Sequence, residues 1–136
     1  MNDKLNIVKL WIEKADHDLG TAELTHQHIP EYKDTIAFHC QQAVEKYLKA
    51  YLVFCDLTFT RTHDLVLLLS LISKNETVSD ELFEMAAELQ DYAIEVRYPD
   101  TIIELTDNDI LRTIEITRNF RRIIIPKMSI EGNQDQ

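Results

Sequence analysis

The segment AFHCQQAVEKYLKAYLVF (residues 37–54) decides the fold, because apolar side chains cover more than half of its helical circumference. At about 100° per residue these side chains form one broad arc, which Ile36 extends by a further position. An arc of this width packs against more than one neighbouring element. The segment therefore predicts a helix at the centre of a helical bundle.

The same helix also carries a polar row, formed by His39, Gln42, Lys46 and Lys49. These four side chains project within roughly 80° of one another, on the side opposite the apolar arc. The row is either a surface that faces a ligand or a hydrated interface with a second copy of the chain, in which Glu45 pairs with Lys49. It is the first candidate functional surface of the protein.

Four further helices are predicted on either side of this segment from apolar residues at steps of three and four. The five predicted helices span about residues 3–26, 31–54, 63–74, 80–96 and 107–126. Thr62 is predicted to cap the third helix, Thr106 and Asp109 to form a capping box on the fifth, and Pro126 to end it. Short connections make sequential helices antiparallel neighbours. The sequence predicts a single-domain, all-α, antiparallel up-and-down bundle over residues 1–126, with a flexible tail over residues 127–136.

Composition agrees with a small helical domain. The 136 residues include only two glycines and three prolines, which is too few for a loop-rich scaffold. Cys40 and Cys55 lie too far apart along one helix to form a disulfide, so we expect reduced thiols and a cytoplasmic protein. Charges interrupt every apolar run near the N-terminus, and we expect neither a signal peptide nor a membrane span.

The formal net charge of −10 argues against broad, nonspecific binding to nucleic acid. Residues 79–109 hold ten acids and one base, whereas cations gather near the C-terminus, at Arg112, Arg118, Arg121, Arg122 and Lys127. Most of this asymmetry is interpreted as solvated helix surface. A small local basic site remains compatible with the composition.

No standard catalytic or cofactor motif is found. The sequence contains no Gly-rich phosphate loop and no cysteine pairs at zinc spacing, so we expect no cofactor and no metal site. His26 and His28 are interpreted as exposed residues at a helix end, since no third ligand accompanies them.

Two short motifs each admit a structural and a functional interpretation. In THDL (residues 62–65), His63 either hydrogen-bonds a neighbouring helix or belongs to a binding site. In RYPD (residues 97–100), the Tyr98–Pro99 bond fixes a turn that holds Arg97. That arginine either pairs with one of the nearby acids or presents its planar guanidinium to a phosphate.

Four segments together resemble the HEPN domain family: WIEKADHDLGTAE, FHCQQAVEKYLKAYL, THDLVLLL and RYPD, in that order, over about residues 10–120. The resemblance implies a helical bundle that commonly dimerises and has a role tied to nucleotides or RNA. Members of the family are often encoded beside minimal nucleotidyltransferases.

Many proteins of that family are metal-independent ribonucleases whose signature is an Arg followed four to six residues later by a His. This sequence departs from the signature, because no histidine follows Arg97 within that distance. An arginine stabilises the developing phosphorane charge, but attack by the 2′-hydroxyl also needs a base. His39 or His63 is the candidate to supply that base through space.

The leading hypothesis is a homodimeric binding protein that partners a separately encoded minimal nucleotidyltransferase, in a pair like a toxin and its antitoxin. Its candidate nucleotide or phosphate site comprises His39, Gln42, Lys46, Lys49, His63, Arg97, Tyr98 and Asp100. One alternative is a ribonuclease toxin with Arg97 as its catalytic residue, where Asp100, Tyr98 or a histidine from elsewhere completes the site across a dimer. The other is a dimeric scaffold without chemistry.

Overall fold

A computed structural model describes residues 2–95 and 104–129 of the chain. This part folds into five α-helices and contains no strand: α1 (Asn2–His28), α2 (Lys33–Phe54), α3 (Leu65–Ser73), α4 (Asp80–Glu95) and α5 (Asp107–Lys127). The predicted all-α, five-helix architecture is confirmed. The motif RYPD, with Arg97, Tyr98 and Asp100, lies outside the described residues.

Helix α2 is the centre of the bundle, because it contacts each of the other four helices. Its buried side chains point to several sides, as the broad apolar arc predicted; they include Ile36, Cys40, Val44, Tyr47, Leu48 and Leu52. Helix α1 runs antiparallel to α2, since Lys4 donates to the carbonyl of Phe54 (3.2 Å) while Asp18 pairs with His39 (2.8 Å).

Helix α5 runs parallel to α2. Lys33, at the start of α2, donates to the carbonyl of Leu105 just before α5 (2.9 Å), and Lys127 at the end of α5 lies over the ring of Tyr51. Between these ends, Cys40 of α2 faces the hydroxyls of Thr117 and Thr113. The two helices therefore contact each other along most of their lengths.

A buried tyrosine joins three helices. The hydroxyl of Tyr47 donates to Asp16 of α1 (2.5 Å), and Arg121 of α5 donates to the same carboxylate (2.9 Å). Burial, and then the hydrogen bond to Asp16, raise the pKa of Tyr47 well above its usual range. The phenol therefore stays neutral and donates its hydrogen bond.

The helix caps agree with prediction at α5 and differ at α3. Thr106 accepts from the amide of Asp109 (3.0 Å), and the Asp109 side chain accepts from the amide of Thr106 (2.9 Å), which confirms the capping box. The prediction that Thr62 caps α3 is wrong, because Asp64 is the cap and accepts from the amide of Leu67 (3.1 Å). Asp64 has extended backbone angles, so the helix starts after it, at Leu65.

The last helix continues one residue beyond Pro126, so the prediction that this proline ends it is wrong by that residue. Proline lacks an N–H, so position 126 does not donate a helical hydrogen bond to the carbonyl of Arg122, and the helix ends one residue later. Met128 follows as the C-cap and is buried in the core. Most of the predicted tail, residues 130–136, lies outside the described residues.

Both cysteines are free thiols, as predicted. Cys40 is buried, and this burial raises the pKa of its thiol. None of the helices in the described ranges is long and apolar enough to cross a membrane.

Candidate functional site

An exposed histidine held by a buried carboxylate is the most pronounced polar feature of the bundle. Nδ1 of His63 lies 2.8 Å from Oε1 of Glu45. The imidazole is 73% exposed, whereas the Glu45 side chain is only 4% exposed. Because a carboxylate only accepts, Nδ1 carries the proton and donates it, which leaves Nε2 as the free nitrogen of the ring.

Glu45 is fixed in turn by a buried lysine. Nζ of Lys49 lies 2.8 Å from Oε2 of Glu45, one helical turn away on α2. The ammonium group also lies 5.6 Å from the ring centroid of Trp11 and 5.9 Å from that of Phe59, where it gains cation–π attraction. Both oxygens of Glu45 are therefore occupied, and the imidazole of His63 has one preferred orientation.

The backbone beside His63 is also tethered to α2. The amide of Gln41, a buried side chain, donates to the carbonyl of His63 (2.7 Å). His63 is thus attached through both its ring and its main chain. We name this group of Gln41, Glu45, Lys49 and His63 the histidine 63 cluster.

A second group lies at the contact between α1 and α2. Oδ1 of Asp18 is 2.8 Å from Nδ1 of His39, and its Oδ2 accepts from Nζ of Lys46. All three side chains are partly exposed. We name this group of Asp18, His39 and Lys46 the aspartate 18 cluster.

Gln42 extends the histidine 63 cluster, because its amide donates to the side-chain oxygen of Gln41 (3.1 Å). The polar row predicted on α2 thus lies along the contact with α1 and the segment before α3. His39 and Lys46 come together in one cluster, and Lys49 and His63 in the other, which Gln42 extends. Lys49 differs from expectation in being buried, although its predicted pairing with Glu45 is confirmed.

Three members of these clusters were missed as site residues: Asp18, Gln41 and Glu45. Asp18 continues a stripe on α1 that otherwise consists of Val8, Trp11, Ala15 and Ala22, at alternating steps of three and four. An acid within such an apolar stripe must find a partner on the neighbouring helix, because burial of an unpaired charge is unfavourable. That position in the stripe was the signal available in the sequence.

The cations of α5 are largely neutralised where they stand. Arg112 pairs with Glu88 (3.0 Å), Arg118 with Glu23 (2.6 Å), Arg121 with Asp16 (2.9 Å) and Lys127 with Glu76 (3.0 Å). Helix α5 therefore offers no broad basic surface for a nucleic-acid backbone. Within the described ranges, no group of three His, Cys, Asp or Glu is arranged to hold a metal ion.

The pair of Glu76 and Lys127 gives a pH-dependent contribution to stability. The hydrogen bond from Tyr51 and the pairing with Lys127 lower the pKa of Glu76 below its ordinary value of 4.5, against the effect of burial. Ionised Glu76 therefore stabilises the folded chain above pH 4.5, and this contribution is lost as the pH falls below that value. We expect Glu76→Gln to be destabilising at neutral pH and progressively less so in acid, as measured by urea unfolding.

The control for this experiment is Glu84→Gln, since Glu84 is exposed and has no ion partner in the part of the chain that the structure describes. A difference between Glu76→Gln and the unmodified protein that does not change with pH would contradict the prediction.

Comparison with known proteins places this arrangement in a family. A sequence model of the HEPN domain matches residues 8–128. The crystal structure of ST0689, an archaeal HEPN homologue, is 24% identical, with 89% of this chain and 97% of that chain covered and a TM-score of 0.71. The crystal structure of TT1696 from Thermus thermophilus is 23% identical, with 88% and 97% covered and a TM-score of 0.75. The search of curated proteins gave no significant match.

Proposed function

The chain belongs to the HEPN domain family, and from this membership we propose that it binds a nucleotide or RNA-related ligand as the partner of a separately encoded minimal nucleotidyltransferase. The observation that supports ligand binding is the presence of the histidine 63 and aspartate 18 clusters, which α2 forms with the segment before α3 and with α1. They hold the imidazoles of His63 and His39 and the ammonium of Lys46 at a partly open surface.

The chemistry of the two clusters suits phosphate oxygens. Lys46 has three N–H donors and uses one on Asp18. His63 turns the Nε2 edge of its ring outward, and in the imidazolium form that nitrogen donates to a phosphate oxygen. Glu45 and Asp18 are already occupied by their own cations, which reduces their repulsion of an incoming anion. The side chains of Lys46 and His63 are also held in place before the ligand binds, so they lose little conformational entropy on binding.

Binding is tested by calorimetric titration of AMP, ATP and oligouridylate into the protein. We expect His63→Ala and Lys46→Ala each to weaken binding by about tenfold, because each removes a charge-assisted or polar hydrogen bond to phosphate. Lys74→Ala is the matched control, since Lys74 is exposed at the end of α3, away from both clusters. Equal affinities for Lys46→Ala and Lys74→Ala, or no binding of any of the three ligands, would reject the site.

The partner is tested by co-purification with a minimal nucleotidyltransferase from the same genome. We propose a homodimer in the cytoplasm, a location that the free thiols of Cys40 and Cys55 support. We further propose that the two proteins act as a toxin–antitoxin-like pair. Sedimentation of the isolated chain as a monomer would contradict the proposed homodimer. Failure of the two proteins to co-purify would contradict the proposed partnership, and neither result would bear on nucleotide binding.

A second candidate function is metal-independent cleavage of RNA, and the Glu45–His63 pair is the observation that favours it. A carboxylate that fixes the tautomer of an exposed imidazole is the arrangement found in general bases. His63 would supply the base that the RYPD motif lacks, with Arg97 as the residue that stabilises the charge. A dimeric scaffold without chemistry is the remaining alternative, and it predicts neither binding nor cleavage.

The ribonuclease candidate is tested by incubating RNA with the protein in EDTA. Cleavage that is lost in both His63→Ala and Arg97→Ala, but kept in Arg112→Ala, would favour it over a binding role. Absence of cleavage by the unmodified protein, or cleavage unchanged by His63→Ala, would reject this site.

A further inference from the structure

A cavity lies beside the C-terminal end of α2, where Tyr51 lines it. It has a volume of about 340 Å³ and is bounded by α3, the connection to α4, α4 itself and the last turns of α5. This volume is within the range of small-molecule sites. None of its lining residues belongs to the histidine 63 cluster or the aspartate 18 cluster.

The inner wall of the cavity is apolar. Leu69, Ile72, Leu82, Met85 and Ile124 line it, and all five are buried side chains of the core. Val78, on the α3–α4 connection, closes one side. A wall of this composition favours the apolar body of a ligand and offers few hydrogen bonds to water.

The rim of the cavity carries one cation without a carboxylate partner in the part of the chain that the structure describes. Arg122 lines it and donates to the amide oxygen of Asn119, yet it has no carboxylate partner among residues 3–93 and 104–129. The other cations of α5 each hold a carboxylate, including Lys127 on the same rim. A guanidinium has five N–H donors, so Arg122 keeps donors for an anion.

The rim also carries Glu81, an exposed acid without an ion partner in the described part of the chain. Its negative charge opposes ligands with several charges, such as a nucleoside triphosphate. A ligand with a single anionic group can pair with Arg122 and is repelled less by Glu81 than a ligand with several negative charges.

We propose that this cavity is a second binding site, for a small amphipathic molecule with an apolar body and one anionic head group. The body packs on Leu69, Leu82 and Met85, and the head group binds Arg122. A carboxylate and a phosphate monoester share this chemistry.

The experiment uses three six-carbon probes, hexanoate, hexyl phosphate and hexan-1-ol, in NMR titrations of the full chain. We expect saturable chemical-shift changes at the amides of the cavity residues. At least one of the two anions, hexanoate or hexyl phosphate, is expected to bind more tightly than hexan-1-ol. Arg122→Gln is expected to weaken the anion by about tenfold and to leave the alcohol unchanged. Val78→Trp, which fills the cavity, is expected to abolish binding of all three.

Arg118→Gln is the matched control, because Arg118 lies about one turn away on α5, is paired with Glu23 and does not line the cavity. It is expected to bind the probes like the unmodified protein, and shifts at the amides of the cavity residues separate this site from the proposed nucleotide site.

The tighter of the two anions identifies the head group as carboxylate or phosphate. Equal anion affinities in Arg122→Gln and the unmodified protein would overturn the proposal, as would the absence of saturable shifts with either anion. Because Arg122 is an exposed side chain, this comparison remains decisive even where Val78→Trp fails to fold.

Discussion

Replacement of Glu45 by alanine is expected to lower the free energy of unfolding by about 3–5 kcal/mol, because it leaves a buried ammonium without its carboxylate. Lys49 is 7% exposed, and after the change the rings of Trp11 and Phe59 are its remaining partners among residues 3–93 and 104–129. His63 loses its ring partner at the same time. The measurement is urea unfolding at neutral pH and fixed protein concentration, with linear extrapolation to water.

Two further variants identify the cause of this loss. Glu84 is an exposed acid on α4, and Glu84→Ala is expected to change the free energy of unfolding by no more than about 0.5 kcal/mol. The double variant Glu45→Leu with Lys49→Met is expected to recover most of the loss, since an apolar pair can replace a buried ion pair. A single variant Glu45→Ala that loses less than about 1 kcal/mol would show that water reaches Lys49 freely, contrary to its burial.

Replacement of Phe120 by alanine is the second large effect, expected to cost about 3–5 kcal/mol. Phe120 is fully buried on α5, the helix that lies along α2. Removing its ring takes a large apolar side chain out of the core and leaves a cavity that the rigid helices fill only in part. Thermal unfolding and urea unfolding both report this loss.

The control is Leu111→Ala on the same helix, because Leu111 is 52% exposed and makes a smaller contribution to the core. Equal losses for the two variants would contradict the assignment of Phe120 to the core face of α5.

Much of the fold followed from local patterns in the sequence. The apolar arc around Val44 and Leu48 correctly identified α2 as the central helix, since the number of apolar faces on a helix reflects the number of its neighbours. Thr106 and Asp109 were identified as a capping box because both partners lie within one turn. The cap of α3 was assigned to Thr62, whereas Asp64 is the cap, because the backbone stays extended as far as Asp64.

The candidate site was less predictable, because its bonds join residues that are distant in sequence. His39 and Lys46 were recognised as a polar row, but their common partner Asp18 lies on α1. The rotation of α1 against α2 decides which acid meets which base, and this rotation depends on packing along the whole hairpin. The pairing of Glu45 with Lys49 was predicted, because the two residues lie one turn apart on the same helix. The bond of Glu45 to His63 could not be predicted, because it depends on the path of the segment before α3.

The central position of α2 has a consequence for synthesis of the chain. On the ribosome, α5 is the last of the five helices to emerge, so the face of α2 that carries Ile36 and Cys40 has no cover while the first four helices are being made. The nascent bundle therefore exposes an apolar groove to chaperones and proteases until residues 107–127 have left the exit tunnel. Translation pauses before α5 prolong this exposure, whereas pauses after it do not.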